Sequence, residues 1–264
     1  MRFIGIIPSR YGSSRFPGKP LALIGGKPMV QRVYEQASLA LDQVVVATDD
    51  ERIYDCVKGF GGEVVMTRTD HRCGTERCVE AYIMTKDERP LRSKTKDDED
   101  DIIINIQGDE PFIQPEQIKA LMGCFEGELG AKTDIATLVQ PYTEQNTWEE
   151  LVNPNSPKVV FDADHRAILF SRSVIPYLRG IDQADWLKQH KHFKHIGMYA
   201  YRAKVLQQLT LLPPSGLEQA ESLEQLRWLE NGYSIRVAEC TTASIGIDTP
   251  EDLIKAEEFY KSHI

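Results

Sequence analysis

A chain of 264 residues exceeds the span of an average domain yet stays within what one α/β unit can close around a single core. Its 31 Lys and Arg against 40 Asp and Glu give a net charge of -9, which removes the electrostatic footing for a general nucleic-acid or anionic-membrane surface and leaves phosphate chemistry to a local cluster of cations. At 41% hydrophobic and 27% charged residues, the composition excludes wholesale disorder, collagen and a coiled coil.

The chain opens on Met1-Arg2-Phe3-Ile4-Gly5-Ile6-Ile7, too short and too polar for a signal peptide. No stretch approaches the roughly 20 apolar residues of a membrane span, so a soluble, unprocessed protein is expected. Short β-branched runs at 3–7, 44–48, 63–67, 102–106 and 135–139 read as buried strands. Between them, Pro28 suits a first helical turn, with Met29, Val33 and Ala37 recurring on one face, and a second helix is expected at 51–60. Thr75 is expected to cap a third helix carrying Val79 and Ile83, and Pro115 to open a fourth with Ile118, Leu121, Met122 and Phe125. This alternation predicts an α/β fold with a doubly wound, mostly parallel sheet. The stretch 86–101 is almost wholly polar and ends in Lys96-Asp97-Asp98-Glu99-Asp100-Asp101; it reads as a solvated, mobile loop rather than an acidic metal site.

From Lys158 the rhythm changes. Val159-Val160-Phe161 and Ile168-Leu169-Phe170 flank Asp162-Ala163-Asp164-His165 as a hairpin, so antiparallel strands are expected to join the sheet. A strand at 195–201, one helix at 217–229, a strand at 235–238 and a closing helix at 250–260 complete the pattern, the last with Glu251 and Asp252 favourably placed at its dipole. Cys56, Cys73, Cys78, Cys124 and Cys240 are odd in number and form no CxxC pair, which fits a reducing cytoplasm and suggests neither disulfides nor zinc. His190, His192 and His195 lie close together, but no Cys or carboxylate completes a metal set, and Trp148, Trp186 and Trp228 read as core or subunit-contact residues.

Three clusters carry chemistry. Directly after the first strand, Pro8-Ser9-Arg10-Tyr11-Gly12-Ser13-Ser14-Arg15-Phe16-Pro17-Gly18-Lys19-Pro20 puts three cations on a Gly/Ser/Pro loop at the carboxyl end of a strand, where α/β sheets bind ligands. A triphosphate needs such charges at close range together with approachable backbone N–H groups. The loop contains no GxGxxG, and it is one residue too long for a Walker A loop, with Pro20 where a Ser or Thr should stand. Gln107-Gly108-Asp109-Glu110-Pro111 follows the apolar strand at 102–106, and Gly246-Ile247-Asp248-Thr249-Pro250 precedes the last helix. Asp109 and Asp248 could together hold a hard cation whose other ligands are water and phosphate; alternatively each is a turn or cap residue.

These clusters together resemble the nucleotidyltransferases that activate sugars as nucleoside monophosphate esters. Three more segments narrow the resemblance to the 3-deoxy-manno-octulosonate cytidylyltransferases, or CMP-Kdo synthetases: Asp70-His71-Arg72-Cys73-Gly74-Thr75-Glu76-Arg77, Phe170-Ser171-Arg172-Ser173-Val174-Ile175-Pro176, and His195-Ile196-Gly197-Met198-Tyr199-Ala200-Tyr201-Arg202 followed by Leu223-Glu224-Gln225-Leu226-Arg227. The resemblance implies one nucleotidyltransferase domain over 1–264, with about 153–208 as a dimerisation and sugar-binding subdomain. It implies transfer of CMP from CTP to the anomeric hydroxyl of Kdo for lipopolysaccharide synthesis, with Mg2+ as cofactor, in a cytoplasmic homodimer that binds neither nucleic acid nor membrane.

The resemblance also distributes roles. Pro8, Arg10, Arg15 and Lys19 would face the triphosphate, and Asp109 and Asp248 the magnesium; Arg10, Lys19, Asp109 and Asp248 form the catalytic set. Gly74, Thr75 and Arg77 would read cytosine, although Cys73 stands where the family commonly has serine; otherwise Arg77 is a surface arginine paired with Glu80. Arg172 would grip the sugar carboxylate, with Gln107, His195, Tyr199, Glu224 and Gln225 on its hydroxyls; otherwise Arg172 makes a structural ion pair. Val174, Ile175, Tyr177 and Trp186 are the expected dimer contacts. Competing readings are a CMP-sialic acid or other sugar nucleotidyltransferase and, outside enzymes, a nucleotide-sensing module.

Overall fold

The computed structural model describes residues 1–12, 15–71, 73–87, 100–242 and 246–263. β1 (Phe3–Ser9) leads to a short ribbon, β2 (Leu23–Ile24) and β3 (Lys27–Pro28), and then to α1 (Met29–Ser38). Pro28 precedes α1 without needing an amide hydrogen, and Met29, Val30, Val33 and Ala37 bury one face. β4 (Gln43–Thr48) is followed by α2 (Glu51–Gly59), capped by the Asp50 carboxylate accepting from the Arg52 amide at 3.0 Å. β5 (Glu63–Met66), α3 (Gly74–Asp87) and β6 (Ile102–Asn105) come next. α4 (Pro115–Gly123), α5 (Gly127–Gly130), β7 (Ile135–Pro141) and α6 (Trp148–Val152) precede the hairpin of β8 (Lys158–Phe161) and β9 (Ala167–Ser171). α7 (Trp186–Gln189), β10 (Phe193–Arg202), α8 (Ala203–Leu209), α9 (Gly216–Glu221), α10 (Glu224–Glu230), β11 (Ile235–Glu239) and α11 (Pro250–His263) complete the chain.

These elements form two units, the first of Met1–Lys119, Tyr201–Thr210 and Ala243–Ile264, the second of Ala120–Ala200 and Leu211–Thr242. The second thus contains most of the 153–208 segment that the sequence set apart, together with strands on either side of it. In unit 1 the strand order is β6-β1-β4-β5, all parallel: Gly5 pairs with Ile104 on one side and Val44 on the other, and Val46 with Val64. Ile4, Ile6, Ile7, Val44, Val45, Val46, Ile102, Ile103 and Ile104 are buried, as strands covered on both faces require. From β1 the chain steps outward to β4 and β5, then returns to the other side of β1 for β6. That reversal opens a crevice at the carboxyl ends of β1 and β6.

In unit 2, β11 runs parallel to β7 with Ile235 opposite Ile135, and β7 neighbours β10. The β8–β9 hairpin is antiparallel, with Val159 opposite Phe170, and meets β10 at Lys158 and Lys194. The predicted mixture of parallel and antiparallel pairing is therefore present. No helix among the described residues is long and apolar enough to cross a membrane.

Four expectations are corrected. In α3 the buried side chains are Thr75, Arg77, Cys78, Ala81, Tyr82 and Thr85, whereas Ile83 is 44% exposed and Thr75 lies inside the first turn rather than at the cap. Hydrophobicity alone picked the neighbouring stripe, because Tyr82 is buried with its hydroxyl donating to Asp101 at 3.0 Å. The helix expected at 217–229 is broken at Ser222, which adopts the left-handed conformation with φ 51 before the extended Leu223. Asp101 does not belong to a solvated loop: it is 1% exposed, accepting from Arg2 at 2.9 and 2.6 Å as well as from Tyr82, while 88–99 lie outside the described residues. Finally, Trp186 is 2% exposed, packed with Tyr142, Leu151 and Val174, so it serves the core of unit 2, whereas Tyr177 is 72% exposed.

Candidate active site

The cation loop is closed by chain geometry. Gly18 adopts φ 73 and donates its amide to the Tyr11 carbonyl at 2.9 Å, and a Cβ there would meet the Tyr11 ring at 3.0 Å. Tyr11 is itself covered by the Arg52 guanidinium, 3.3 Å from its ring centroid. Gly18 opens a short 3-10 helix, Lys19–Leu21, which aims Lys19 inward. At the end of β6 the chain passes so close to β1 that a Cβ on Gly108 would lie 3.0 Å from Ser9 Oγ and 3.1 Å from the Pro8 carbonyl. Glycine lets the Asp109 segment approach the loop.

Asp248 arrives from the other end of the sequence. The Ile247 amide donates to the Asp109 carbonyl at 2.9 Å, laying the two acidic segments side by side. Thr249 and Asp252 cap α11 reciprocally: the Asp252 amide donates to Thr249 Oγ1 at 3.2 Å, and Asp252 Oδ2 accepts from the Thr249 amide at 3.1 Å. The capping alternative for Asp248 is thereby taken by its neighbours, and its carboxylate faces cations instead. Lys19 Nζ donates to Asp109 Oδ2 at 2.7 Å and to Asp248 Oδ1 at 3.2 Å, and Arg15 Nη2 lies 3.1 Å from the same Asp248 oxygen.

A cavity of about 270 Å³ opens over this junction. Pro8, Arg10, Arg15, Lys19, Asp109 and Asp248 line it, joined by Gly74, Arg77 and Gln107. Asp109 and Asp248 converge on one cationic nitrogen, so the pair can share a cation. No group of three His, Cys, Asp or Glu suited to a metal occurs among the described residues, which leaves a divalent cation's other positions to water and phosphate oxygens. Beside them, burial pushes the Glu110 carboxyl up to about 7, with the charge of Asp109 adding to the effect.

Arg77 lines the cavity but is not the surface residue paired with Glu80. It is 4% exposed, with Nη2 donating to Asp49 Oδ2 at 2.6 Å and Nη1 to Thr67 Oγ1 at 2.5 Å, while Glu80 binds His71 and the Arg68 amide. Thr75 is buried just behind Gly74. Asp49 was not read from the sequence, although a signal existed: it directly follows β4, and the carboxyl end of a parallel strand is the position that singled out Asp109.

The residues proposed for the sugar lie in unit 2, except Gln107. His195 and Tyr199 share a strand face with ring centroids 5.3 Å apart, and Tyr199 packs on Trp228 at 5.1 Å. Thr137 Oγ1 donates to the Met198 carbonyl at 2.8 Å and so receives the proton of His195 Nε2 at 2.9 Å, which leaves Nδ1 as an acceptor. Burial lowers the His195 pKa to about 3 and raises that of Tyr199 well above 10, the Glu224 charge adding to the latter. Gln225 is 4% exposed and its Nε2 has no partner among the described residues.

The Arg172 guanidinium makes no ion pair among the described residues, and it is not an idle surface cation either. Nε donates to the Glu221 carbonyl at 2.5 Å, Nη1 to that of Pro154 at 2.7 Å and Nη2 to that of Ser222 at 3.2 Å, holding the break between α9 and α10. Two guanidinium hydrogens remain for a ligand.

The state of His195 gives a pH prediction. With a folded pKa below the unfolded value of about 6.5, the native state binds fewer protons between that value and about 3, so His195 draws stability down as pH falls through this window. NMR of the imidazole should show no titration from about pH 5 to 8; a midpoint near 6.5 would contradict the assigned neutral state.

A parallel sheet whose switch point gathers a cation-bearing loop and two carboxylates is suited to nucleotidyl transfer, and the family match makes the protein a nucleotidyl-transferring enzyme. The chain belongs to the cytidylyltransferase family, whose model matches residues 4–236. The 3-deoxy-manno-octulosonate cytidylyltransferases of Phocaeicola vulgatus and Bacteroides thetaiotaomicron are each 56% identical to it over 99% of this chain, covering 98% and 99% of theirs. An 8-amino-3,8-dideoxy-manno-octulosonate cytidylyltransferase of Shewanella putrefaciens is 46% identical over 98% of both chains. A solved CMP:2-keto-3-deoxy-manno-octonic acid synthetase complexed with CTP matches the whole of both chains at 40% identity with a TM-score of 0.86.

Proposed function

We propose that this chain transfers CMP from CTP to the anomeric hydroxyl of Kdo, forming CMP-Kdo for lipopolysaccharide synthesis and releasing pyrophosphate. The observation that carries the reading is the meeting of Lys19, Asp109 and Asp248 in the lining of the cavity, in a chain similar along its full length to Kdo cytidylyltransferases. The hydroxyl oxygen bonds to the α-phosphorus as the bond from that phosphorus to the pyrophosphate oxygen breaks, and the hydroxyl proton passes to solvent water. No protein nucleophile is required, and positioning with charge neutralisation supplies the rate.

Arg10, Arg15 and Lys19 hold the triphosphate and stabilise the charge that develops on pyrophosphate. Gly74, Thr75 and Arg77 form the cytosine side of the cavity. Asp109 and Asp248 would hold Mg2+, which when bound neutralises triphosphate charge and acidifies the attacking hydroxyl. His195 Nδ1, Glu224 and the open Gln225 amide meet sugar hydroxyls, and the remaining guanidinium hydrogens of Arg172 meet the carboxylate. No disulfide joins the cysteines among the described residues, and the reading places the enzyme in the cytoplasm, with two copies associating through the unit containing exposed Tyr177.

The similarity to an 8-amino-3,8-dideoxy-manno-octulosonate enzyme sustains a second reading, in which the sugar carries an amine in place of one hydroxyl. Pyrophosphate release measured with CTP, UTP, ATP and GTP crossed with Kdo, its 8-amino analogue, sialic acid and a hexose 1-phosphate separates these. CTP with Kdo should give the highest kcat/KM; a higher value for any other pair reassigns the substrate.

A further inference from the structure

The two carboxylates at the switch point already hold a cation, and it is a side chain. Lys19 Nζ donates to Asp109 at 2.7 Å and to Asp248 at 3.2 Å. We infer that Lys19 is a built-in competitor of the divalent cation, occupying the carboxylate pair before nucleotide arrives and giving it up when a triphosphate draws the ammonium away. This rests on the reading of Asp109 and Asp248 as the metal-holding pair and adds what occupies that pair first.

The placement of Lys19 is set by the chain. Its backbone is fixed by the turn at Gly18 and the short helix that follows, and its side chain is only 14% exposed, with the ammonium resting between the two carboxylates at the lining of the cavity. Asp109 is 31% exposed; two such anionic groups brought together by the Ile247–Asp109 backbone bond repel unless a cation sits between them. A divalent cation would use the same oxygen lone pairs that accept the Lys19 hydrogens. Ammonium and metal are also like charges at contact distance, so binding of one opposes the other. Triphosphate oxygens offer Lys19 replacement partners as strong as the carboxylates it leaves. Arg15, 65% exposed and touching the same Asp248 oxygen, can make the same exchange. Metal and nucleotide therefore enter together, and metal alone binds weakly.

The test is Mn2+ binding to the nucleotide-free full-length protein, followed by the EPR signal of the free ion. Lys19→Met should tighten Mn2+ binding by about tenfold, because a neighbouring positive charge and two competing donors are gone. Lys19→Arg, which keeps the charge, should not tighten it, and Lys19→Gln gives the same readout if the Met variant does not fold. The gain should vanish when Asp109→Asn and Asp248→Asn are added to Lys19→Met. If Lys19→Met and Lys19→Gln bind Mn2+ no more tightly than the parent while the two Asn substitutions weaken it, the exchange is overturned and the carboxylate site stands. If the Asn substitutions leave Mn2+ binding unchanged in both backgrounds, the metal reading itself fails and the exchange falls with it.

Discussion

Asp109→Asn and Asp248→Asn are each expected to lower the maximal rate of pyrophosphate release by about a hundredfold or more, with the thermal midpoint close to that of the parent. The separation of rate from stability follows from where the two carboxylates sit. They are 31% and 47% exposed, and the 14% exposed Lys19 keeps one carboxylate partner when the other is neutralised, so neither substitution leaves a buried charge unpaired; the Arg15–Asp248 pair is well solvated and contributes little to folding. Asp248 has no capping duty, since Thr249 and Asp252 close the start of α11 between themselves. Asparagine keeps the shape of each side chain but removes the charge that would hold a metal against the triphosphate. The loss should therefore appear in kcat, whereas Arg10→Ala should raise KM for CTP more than it lowers kcat. Steady-state kinetics beside thermal melts decide the matter; a midpoint that falls in step with the rate would make the carboxylates structural.

The part of this site that lies on strand ends was legible in the sequence. The 102–106 run is apolar at every position but one, which marks a strand buried on both faces, and the polar Gln107-Gly108-Asp109 that follows must then emerge at its carboxyl end. The same reasoning placed Arg10, Arg15 and Lys19 after β1. What could not be read were polar groups buried against partners far away in sequence. Tyr82 and Asp101 look like ordinary helix and loop residues until they are seen bonded to each other, and that bond decides which stripe of α3 faces inward. Arg172 was read as a ligand or an ion-pair residue, while three of its donors hold backbone carbonyls around Ser222. Nothing in a hydropathy pattern announces a side chain that serves the backbone. The Ser222 break was hidden for a related reason: apolar Leu217, Leu223, Leu226 and Leu229 continue across a residue whose φ is 51 and whose carbonyl accepts from Arg172.

Asp49→Ala is expected to destabilise the protein by about 3 to 5 kcal/mol, because it leaves the Arg77 guanidinium buried with its charge uncompensated. Arg77 is 4% exposed, and Asp49, at 15%, is the carboxylate within its reach at 2.6 Å. Its other hydrogen bonds among the described residues go to neutral groups, Thr67 Oγ1 at 2.5 Å and the Arg68 carbonyl at 3.3 Å. Thr67 cannot compensate further, since its hydroxyl already donates to the Thr48 carbonyl at 3.0 Å. Asp49→Asn keeps an acceptor in place and should cost less than Asp49→Ala. The decisive comparison is the double variant Asp49→Ala with Arg77→Met, which removes both charges and retains apolar volume. It should be more stable than Asp49→Ala alone, since coupled residues lose their interaction only once. Urea unfolding midpoints measure all three. Arg77 also lines the cavity proposed to take CTP, so the double variant should regain stability without regaining affinity for CTP. Recovery of both would place Arg77 in the scaffold alone, and an Asp49→Ala midpoint equal to that of the parent would show that the guanidinium finds another counter-charge.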